Sequence, residues 1–192
     1  MTSIILASGS QYRRELLSRL GLPFEAWSPD IDEAALAGEA PAATAVRLAR
    51  AKARAGTQRW PGAWVIGSDQ VADVDGRAVS KPGDLQNARR QLRELSGRTV
   101  VFHTALCLAH SGRAAAHERL VATEVAFRAL SEAEIERYLA REPALDCAGG
   151  AKSEGLGISL LARLGGDDPT ALVGLPLIAL SALLRAEGYE VP

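Results

Sequence analysis

The chain lacks most of the features that announce a specialised function. Of its 192 residues only Cys107 and Cys147 are cysteines, far apart and in apolar surroundings. Two such residues make no disulfide framework, and a reduced cytoplasmic protein is the expectation. There is no excess of basic charge: 22 Lys and Arg against 23 Asp and Glu leave a formal net charge of −1, which argues against general nucleic-acid binding. No apolar run reaches the ~18 residues of a membrane span. Met1-Thr2-Ser3 leads straight into the first apolar run, so no signal peptide is expected. His103, His110 and His117 lack metal-ligand spacing and read as strand or surface residues. The G-x-x-x-x-G-K-[ST] loop is missing, as is a G-x-G-x-x-G after the first strand, so phosphate chemistry would need another constellation. No repeat, low-complexity segment or linker divides the chain, and one domain over residues 1–192 is expected.

What is present centres on Ile4–Leu17. Ile4-Ile5-Leu6-Ala7 reads as a buried strand, Ser8-Gly9-Ser10 as a small-residue turn, and the following stretch as a helix with Leu16, Leu17 and Leu20 on one side and Gly21 as its stop. A strand, a turn and a helix N-terminus form an anion site, because unpaired N–H groups point out of the first turn. Arg13 and Arg14 stand in that turn, where the helix dipole disfavours cations by about 0.3–1 kcal/mol. Either they splay into solvent or an anion meets them there.

Further along, Pro23–Ser28 suits a strand, and Asp30, Asp32 and Glu33 crowd three carboxylates into four residues of a loop. That loop is a solvated acidic turn unless a metal is involved. A helix is expected from Pro41 to about Ala55, with Ala45, Leu48, Ala49 and Lys52 on one face and Arg47, Arg50 and Arg54 opposite. Lys52 is thus the one cation on the inward stripe. It either snorkels or reaches into a site. Ala63–Asp69 reads as a buried strand ending in Gly67-Ser68-Asp69-Gln70, and a carboxylate at such a strand end is where α/β proteins build sites.

Val71–Val74 and Arg77–Ser80 flank the hairpin signal Asp75-Gly76, which Lys81-Pro82-Gly83 closes. Asp84 caps a helix over Leu85–Leu95 that stops at Gly97. Thr99–Ala109 reads as a long central strand and Ala116–Arg128 as its antiparallel neighbour. Ser131 and Glu134 form a capping box for a helix to about Leu139. Ile158–Leu161 reads as a short strand, Gly165–Pro169 as a loop, and Pro176 to about Glu187 as a last helix. The expectation is a mixed α/β (α+β) fold, a twisted mixed sheet with long central strands flanked by helices, and not a doubly wound dinucleotide fold.

Several stretches together carry a resemblance. Ala7-Ser8-Gly9-Ser10 with Arg13-Arg14-Glu15-Leu16-Leu17, Asp32-Glu33, Lys52, Ser68-Asp69-Gln70, Lys81-Pro82, Lys152-Ser153-Glu154-Gly155 and Val173-Gly174-Leu175-Pro176-Leu177 resemble the Maf family of nucleoside triphosphate pyrophosphatases, related in fold to inosine triphosphatases. The match is collinear over nearly the whole chain. Ser68-Asp69-Gln70 and Lys152-Ser153-Glu154-Gly155 resemble the branch acting on 7-methyl-GTP. The sister branch, acting on dTTP and UTP, usually shows Ala-Asp-Thr and a glutamine where this chain has Glu154. Gln11 stands where a common family pattern has proline.

The resemblance implies hydrolysis of a nucleoside triphosphate to monophosphate and diphosphate. Ser8, Arg13, Arg14, Lys52 and Lys81 would cradle the triphosphate, Glu33 and Asp69 would hold Mg²⁺, Mn²⁺ or Co²⁺, and Asp69 would be the proton acceptor. A homodimer is implied as well. For the base, Glu154 is the candidate acceptor for the N1–H and N2–H donors of a cationic 7-methylguanine, Tyr12 an aromatic face for its ring, and Gln70 a contact to base or sugar. The plain alternative for Glu154 is a solvated loop carboxylate. The rival functional reading is a non-catalytic nucleotide-binding regulator of septum formation. Two carboxylates facing phosphates weaken anion binding unless a metal lies between them, so the pair Glu33 and Asp69 favours an enzyme. A kinase or dehydrogenase is disfavoured by the missing loops.

Overall fold

The structure, a computed structural model, describes residues 3–192. Met1 and Thr2, on which the expectation of no signal peptide rests, lie outside the described residues. The apolar run Ile4–Ala7 forms β1, with all four residues buried. It runs parallel to Phe24–Trp27 (β2) on one side and to the start of Trp64–Val74 (β3) on the other. Parallel neighbours need crossovers. Gln11–Ser18 (α1) makes the first, and Pro41–Arg59 (α2), with Pro41 at its start, the second. After β3 the chain turns antiparallel. A hairpin at Asp75-Gly76, with φ of 52° and 79°, returns Arg77–Val79 (β4) onto β3. Leu85–Leu95 (α3), N-capped by Asp84, is followed by Thr99–His110 (β5) and His117–Phe127 (β6). Glu132–Arg141 (α4) starts in the expected Ser131/Glu134 capping box. Leu161–Gly165 (β7) completes the sheet, and Leu177–Ala186 (α5) ends the chain's regular structure. Strand order is β2-β1-β3-β5-β6-β7 with β4 on β3, the mixed α/β architecture expected from the sequence.

Strand alternation divides the side chains between two faces. Ile4, Leu6, Trp64 and Ile66 pack against Leu16 and Leu17 of α1 and Leu180 and Leu184 of α5. On the opposite face α2 sets Ala45, Ala49 and Ala53 against Ala105 and Cys107. The far halves of β3, β5 and β6 build a second core with α3 and α4, including Phe102, Val125, Leu92 and Ile135. The cleft described below opens where the two cores meet.

Two glycines let α2 lie close on β3. A Cβ at Gly56 would run into the Val65 side chain. One at Gly67 would overlap the Ala49 carbonyl and stand 2.6 Å from the Ala53 nitrogen. This approach explains why α2 continues through Gly56 to Arg59, four residues past the expected end near Ala55: the contact with the strand outweighs the helix cost of about 1 kcal/mol for a glycine.

Two expectations are corrected. The strand expected to end at Asp69 does not end there; β3 is continuous from Trp64 to Val74. Gly67-Ser68-Asp69-Gln70 is poor in strand formers, but its register with Cys107–Thr104 of β5 holds it extended. Its other edge is different. The β1 pairing stops at Ile66 and the β4 pairing starts at Ala72, so residues 67–71 have no strand neighbour there. The second correction is at Ile158–Leu161. Leu156–Leu160 is a 3₁₀ turn with Ile158 exposed, and the strand comes later, as β7, where part of a loop was expected. Glu142, the C-cap of α4, shapes that turn: its Oε2 accepts the Gly157 N–H at 3.0 Å, and its carboxylate fills the space a Cβ at Gly155 would need.

Candidate active site

The gap beside residues 67–71 opens into a cleft with two connected parts. The first is a polar trough lined by Ser8, Gly9 and Ser10 of the first turn, by Glu33, and by Lys52, Asp69 and Lys81. The second is a chamber whose wall includes Phe102, Val125, Phe127, Leu161, Leu172 and Val173. Ser10, Arg13, Gln70, Lys81 and Ala148 belong to both and mark the junction.

Helix α1 supplies the junction as the sequence suggests. Ser10 is the N-cap and its Oγ accepts the Arg13 N–H at 3.4 Å. Ser8 is buried and its Oγ accepts from the Ser10 N–H at 3.2 Å and from Arg13 Nη1 at 3.4 Å. Arg13 does not splay into solvent. Its Nε donates to the Gly174 carbonyl at 2.7 Å, and the side chain is half-buried. Burial lowers the Arg13 guanidinium from its ordinary value, and the charges of Asp69 and Glu33 oppose that shift. Arg14 is different. About 100° further round the helix, it is exposed and lines neither part of the cleft. The expectation that both arginines join the cradle is corrected to Arg13 alone.

Lys52 settles its two alternatives by position. It is 6% exposed, and its Nζ lies 2.6 Å from Asp69 Oδ1 and 2.6 Å from Glu33 Oε1. Alternation on β3 turns Asp69 to the α2 face, where Gly67 has already drawn the helix in. Asp69 itself is 7% exposed, whereas the Glu33 side chain, on its loop, is 58% exposed. Burial pushes the Glu33 carboxyl up, but Lys52, Lys81 and Arg13 outweigh that and hold it below its ordinary value. Lys81 is exposed and stands at the junction. Three cations and two carboxylates thus face the trough.

Ser68 and Gln70 point to the other side of β3 and build a support. Ser68 Oγ, fully buried, sits 2.8 Å from the Ala105 carbonyl and 3.0 Å from that of Gly174. The Gln70 amide nitrogen donates to Thr104 Oγ1 and to the carbonyls of Ala171 and Leu172 at 2.9–3.0 Å. The turn Ala171–Val173, which brings Leu172 and Val173 to the chamber, is therefore pinned from β3. Gln70 thus has its N–H groups committed to the protein.

Tyr12 lines the chamber, with its hydroxyl donating to Asp146 Oδ2 at 3.1 Å. One correction applies to its expected role as an open aromatic face: the Lys152 ammonium already stands over the ring, 5.5 Å from the centroid. Glu154 is exposed and lines the chamber, with Ser153 Oγ donating to its Oε2 at 3.3 Å. Asp146 and the apolar wall were not foreseen. Strand alternation marks Phe102, Val125 and Phe127 as inward, but nothing local says that their core is hollow. Asp146 carries no motif; only the approach of its loop to Tyr12, 134 residues away, gives it a place.

Among the described residues no cluster of three His, Cys, Asp or Glu side chains could hold a metal ion by itself. Glu33 and Asp69 are carboxylates of the type a hard divalent cation takes one or two of, beside water and substrate phosphates, and here the Lys52 ammonium stands 2.6 Å from an oxygen of each.

The chain matches the Maf-like protein family over residues 3–187. It is 59% identical over 192 residues, all of both chains, to a 7-methyl-GTP pyrophosphatase of Xanthomonas oryzae pv. oryzae. It is 56% identical over 186 residues, 97% of this chain and 94% of the other, to a 7-methyl-GTP pyrophosphatase of Cupriavidus pinatubonensis. Its fold is that of the Staphylococcus aureus Ham1 protein, with TM-score 0.53 at 14% identity over 97% of this chain and 100% of that one. A family match over nearly the whole length, with the matched motifs gathered around one cleft, decides the matter: the chain belongs to the Maf-like protein family.

Proposed function

We propose that the protein hydrolyses 7-methyl-GTP to 7-methyl-GMP and diphosphate. The observation that carries this reading is the cleft itself, a cation-bearing trough joined to an apolar chamber rimmed by Asp146 and Glu154. The trough suits a triphosphate and the chamber a purine base whose methylated ring is cationic. The names of the full-length relatives support the same substrate.

In the reaction, water attacks the α-phosphorus, on the nucleoside side of the α–β bridging oxygen. The new P–O bond forms as the bridging bond breaks, and diphosphate leaves with the bonding electron pair. Arg13, Lys52 and Lys81 neutralise phosphate oxygens, and Ser8 with the backbone of the first turn orients them. Asp69 accepts the proton from the attacking water. Glu33 and Asp69 would hold Mg²⁺, Mn²⁺ or Co²⁺, which when bound supplies charge neutralisation and acidifies its water. That acidification matters because a carboxylate is a feeble base for bulk water. The proposal includes a homodimer acting in the cytoplasm. Among the described residues no helix is long and apolar enough to cross a membrane.

A nucleotide panel with separated products tests the reading. The expected result is diphosphate release with the highest kcat/KM for 7-methyl-GTP. Preference for dTTP or UTP would move the protein to the sister activity, and binding without turnover would favour the septum-regulator alternative. Sedimentation of the purified chain tests the dimer.

A further inference from the structure

A second group of charges stands at the chamber wall. Asp146 lines the chamber and accepts the Tyr12 hydroxyl on Oδ2, while Lys152 Nζ lies 3.3 Å from its Oδ1. Lys152 also covers the Tyr12 ring, yet it does not itself line the chamber. The arrangement is anchored from outside the cleft: the Lys152 backbone N–H donates to the buried Tyr138 hydroxyl at 3.2 Å, and Glu142 holds the turn that follows. The other charges around the chamber are Glu154 on the same loop and Arg13 and Lys81 at the junction.

Asp146 and Lys152 act on a bound base with opposite signs. The Asp146 carboxylate, facing the chamber directly, attracts a cationic ring. Lys152 opposes it, because a ring that already carries a cation on one face gains less from a second on the other. We infer that Asp146 and Lys152 form a charge-setting pair that fixes how strongly the chamber distinguishes a cationic, 7-methylated purine from a neutral one, with Asp146 also positioning Tyr12. This rests on the purine-binding reading of the chamber proposed above.

The pair lends itself to a test that separates charge from architecture. Asp146→Asn and Lys152→Met break the same ion pair, so a purely structural role moves both variants the same way. A charge-setting role moves them in opposite directions. Two readouts apply: the ratio of kcat/KM for 7-methyl-GTP over GTP, and the ratio of calorimetric Kd values for the products 7-methyl-GMP and GMP. We expect Asp146→Asn to lower the preference for the methylated nucleotide about 3- to 10-fold and Lys152→Met to raise it by a similar factor. Asp146→Glu, which keeps the charge, should return most of the wild-type ratio. Movement of both ratios in the same direction, or no movement, would overturn the inference. If Asp146→Asn fails to fold, Lys152→Met decides alone, since only the charge role predicts a gain. Wild-type enzyme that releases no diphosphate from 7-methyl-GTP would instead count against the proposed function, and the product-binding ratios would still read the pair.

Discussion

Lys52 Nζ lies 2.6 Å from Glu33 Oε1 and 2.6 Å from Asp69 Oδ1, so one ammonium ties an exposed loop carboxylate to a buried one on the central strand. Removing it leaves Asp69 buried without its partner. We expect Lys52→Ala to lose activity and also about 1–3 kcal/mol of stability, the cost of an uncompensated buried polar group. The sequence alone suggests a kinetic effect without a stability effect, because it does not show how deeply Lys52 is buried. A denaturation midpoint equal to wild type would mean that Asp69 finds water or another donor.

Asp69→Asn keeps the shape and a hydrogen-bond acceptor for Lys52 but removes the base. Turnover should fall by about 10²–10⁴-fold, with folding and nucleotide binding largely retained. Activity within a few-fold of wild type would take Asp69 out of the proton-acceptor role.

Gly67 sets the distance between α2 and β3. Gly67→Ala places a methyl group against the Ala49 carbonyl and the Ala53 nitrogen. The helix must retreat, at a cost of about 1–3 kcal/mol, and Lys52 moves away from Asp69 with it. Chemical denaturation and steady-state kinetics should both report the change. A fully active, wild-type-stable variant would show that the close approach is dispensable.

Gln70 holds the turn at Ala171–Val173 through its amide nitrogen. Gln70→Glu replaces those donors with a carboxylate facing two carbonyls. Hydrogen exchange at residues 171–174 should quicken, and KM should rise more than kcat falls. Unchanged exchange would limit Gln70 to a direct role with the substrate.

The start of α2 supplies a pH dependence. Arg47, with help from the Leu36 N–H and Thr44, holds the Glu39 carboxyl down at about 2 against the opposing effect of burial. A depressed folded-state value means stabilisation present above the unfolded pKa of ~4.3 and lost as pH falls through the folded one. The difference in melting temperature between wild type and Glu39→Gln should therefore be full near pH 6 and vanish between about pH 4.5 and 2. A constant gap over that range would show that the pair contributes nothing through ionisation.

The legible parts of this molecule are those specified by local pattern. The Ser10 cap, the Asp75-Gly76 hairpin, the Ser131/Glu134 box and the inward position of Lys52 all follow from spacing of a few residues. The errors fall where distant partners decide. Asp69 sits mid-strand because β5, reached 30 residues later, pairs across Gly67–Gln70. Leu156–Leu160 turns because Glu142 grips it. Arg13 and Arg14 look alike in the sequence; the Gly174 carbonyl, 161 residues away, and Ser8 Oγ hold Arg13 in the cleft. The hollow behind Phe102 and Val125 has no sequence signature, since a residue that lines a chamber and one that fills a core obey the same alternation.

The two cores on either side of the cleft are joined by β3 and β5 themselves. A change in the angle between the halves must be absorbed as twist along two long hydrogen-bonded strands. The cleft therefore has the mechanics of a leaf spring, not of a hinge. Its width is set by the stiffness of the sheet, and the five residues of β3 with one open edge are where that spring is thinnest. Asp69 is the central residue of those five, so any flexing of the sheet is felt first at its carboxylate.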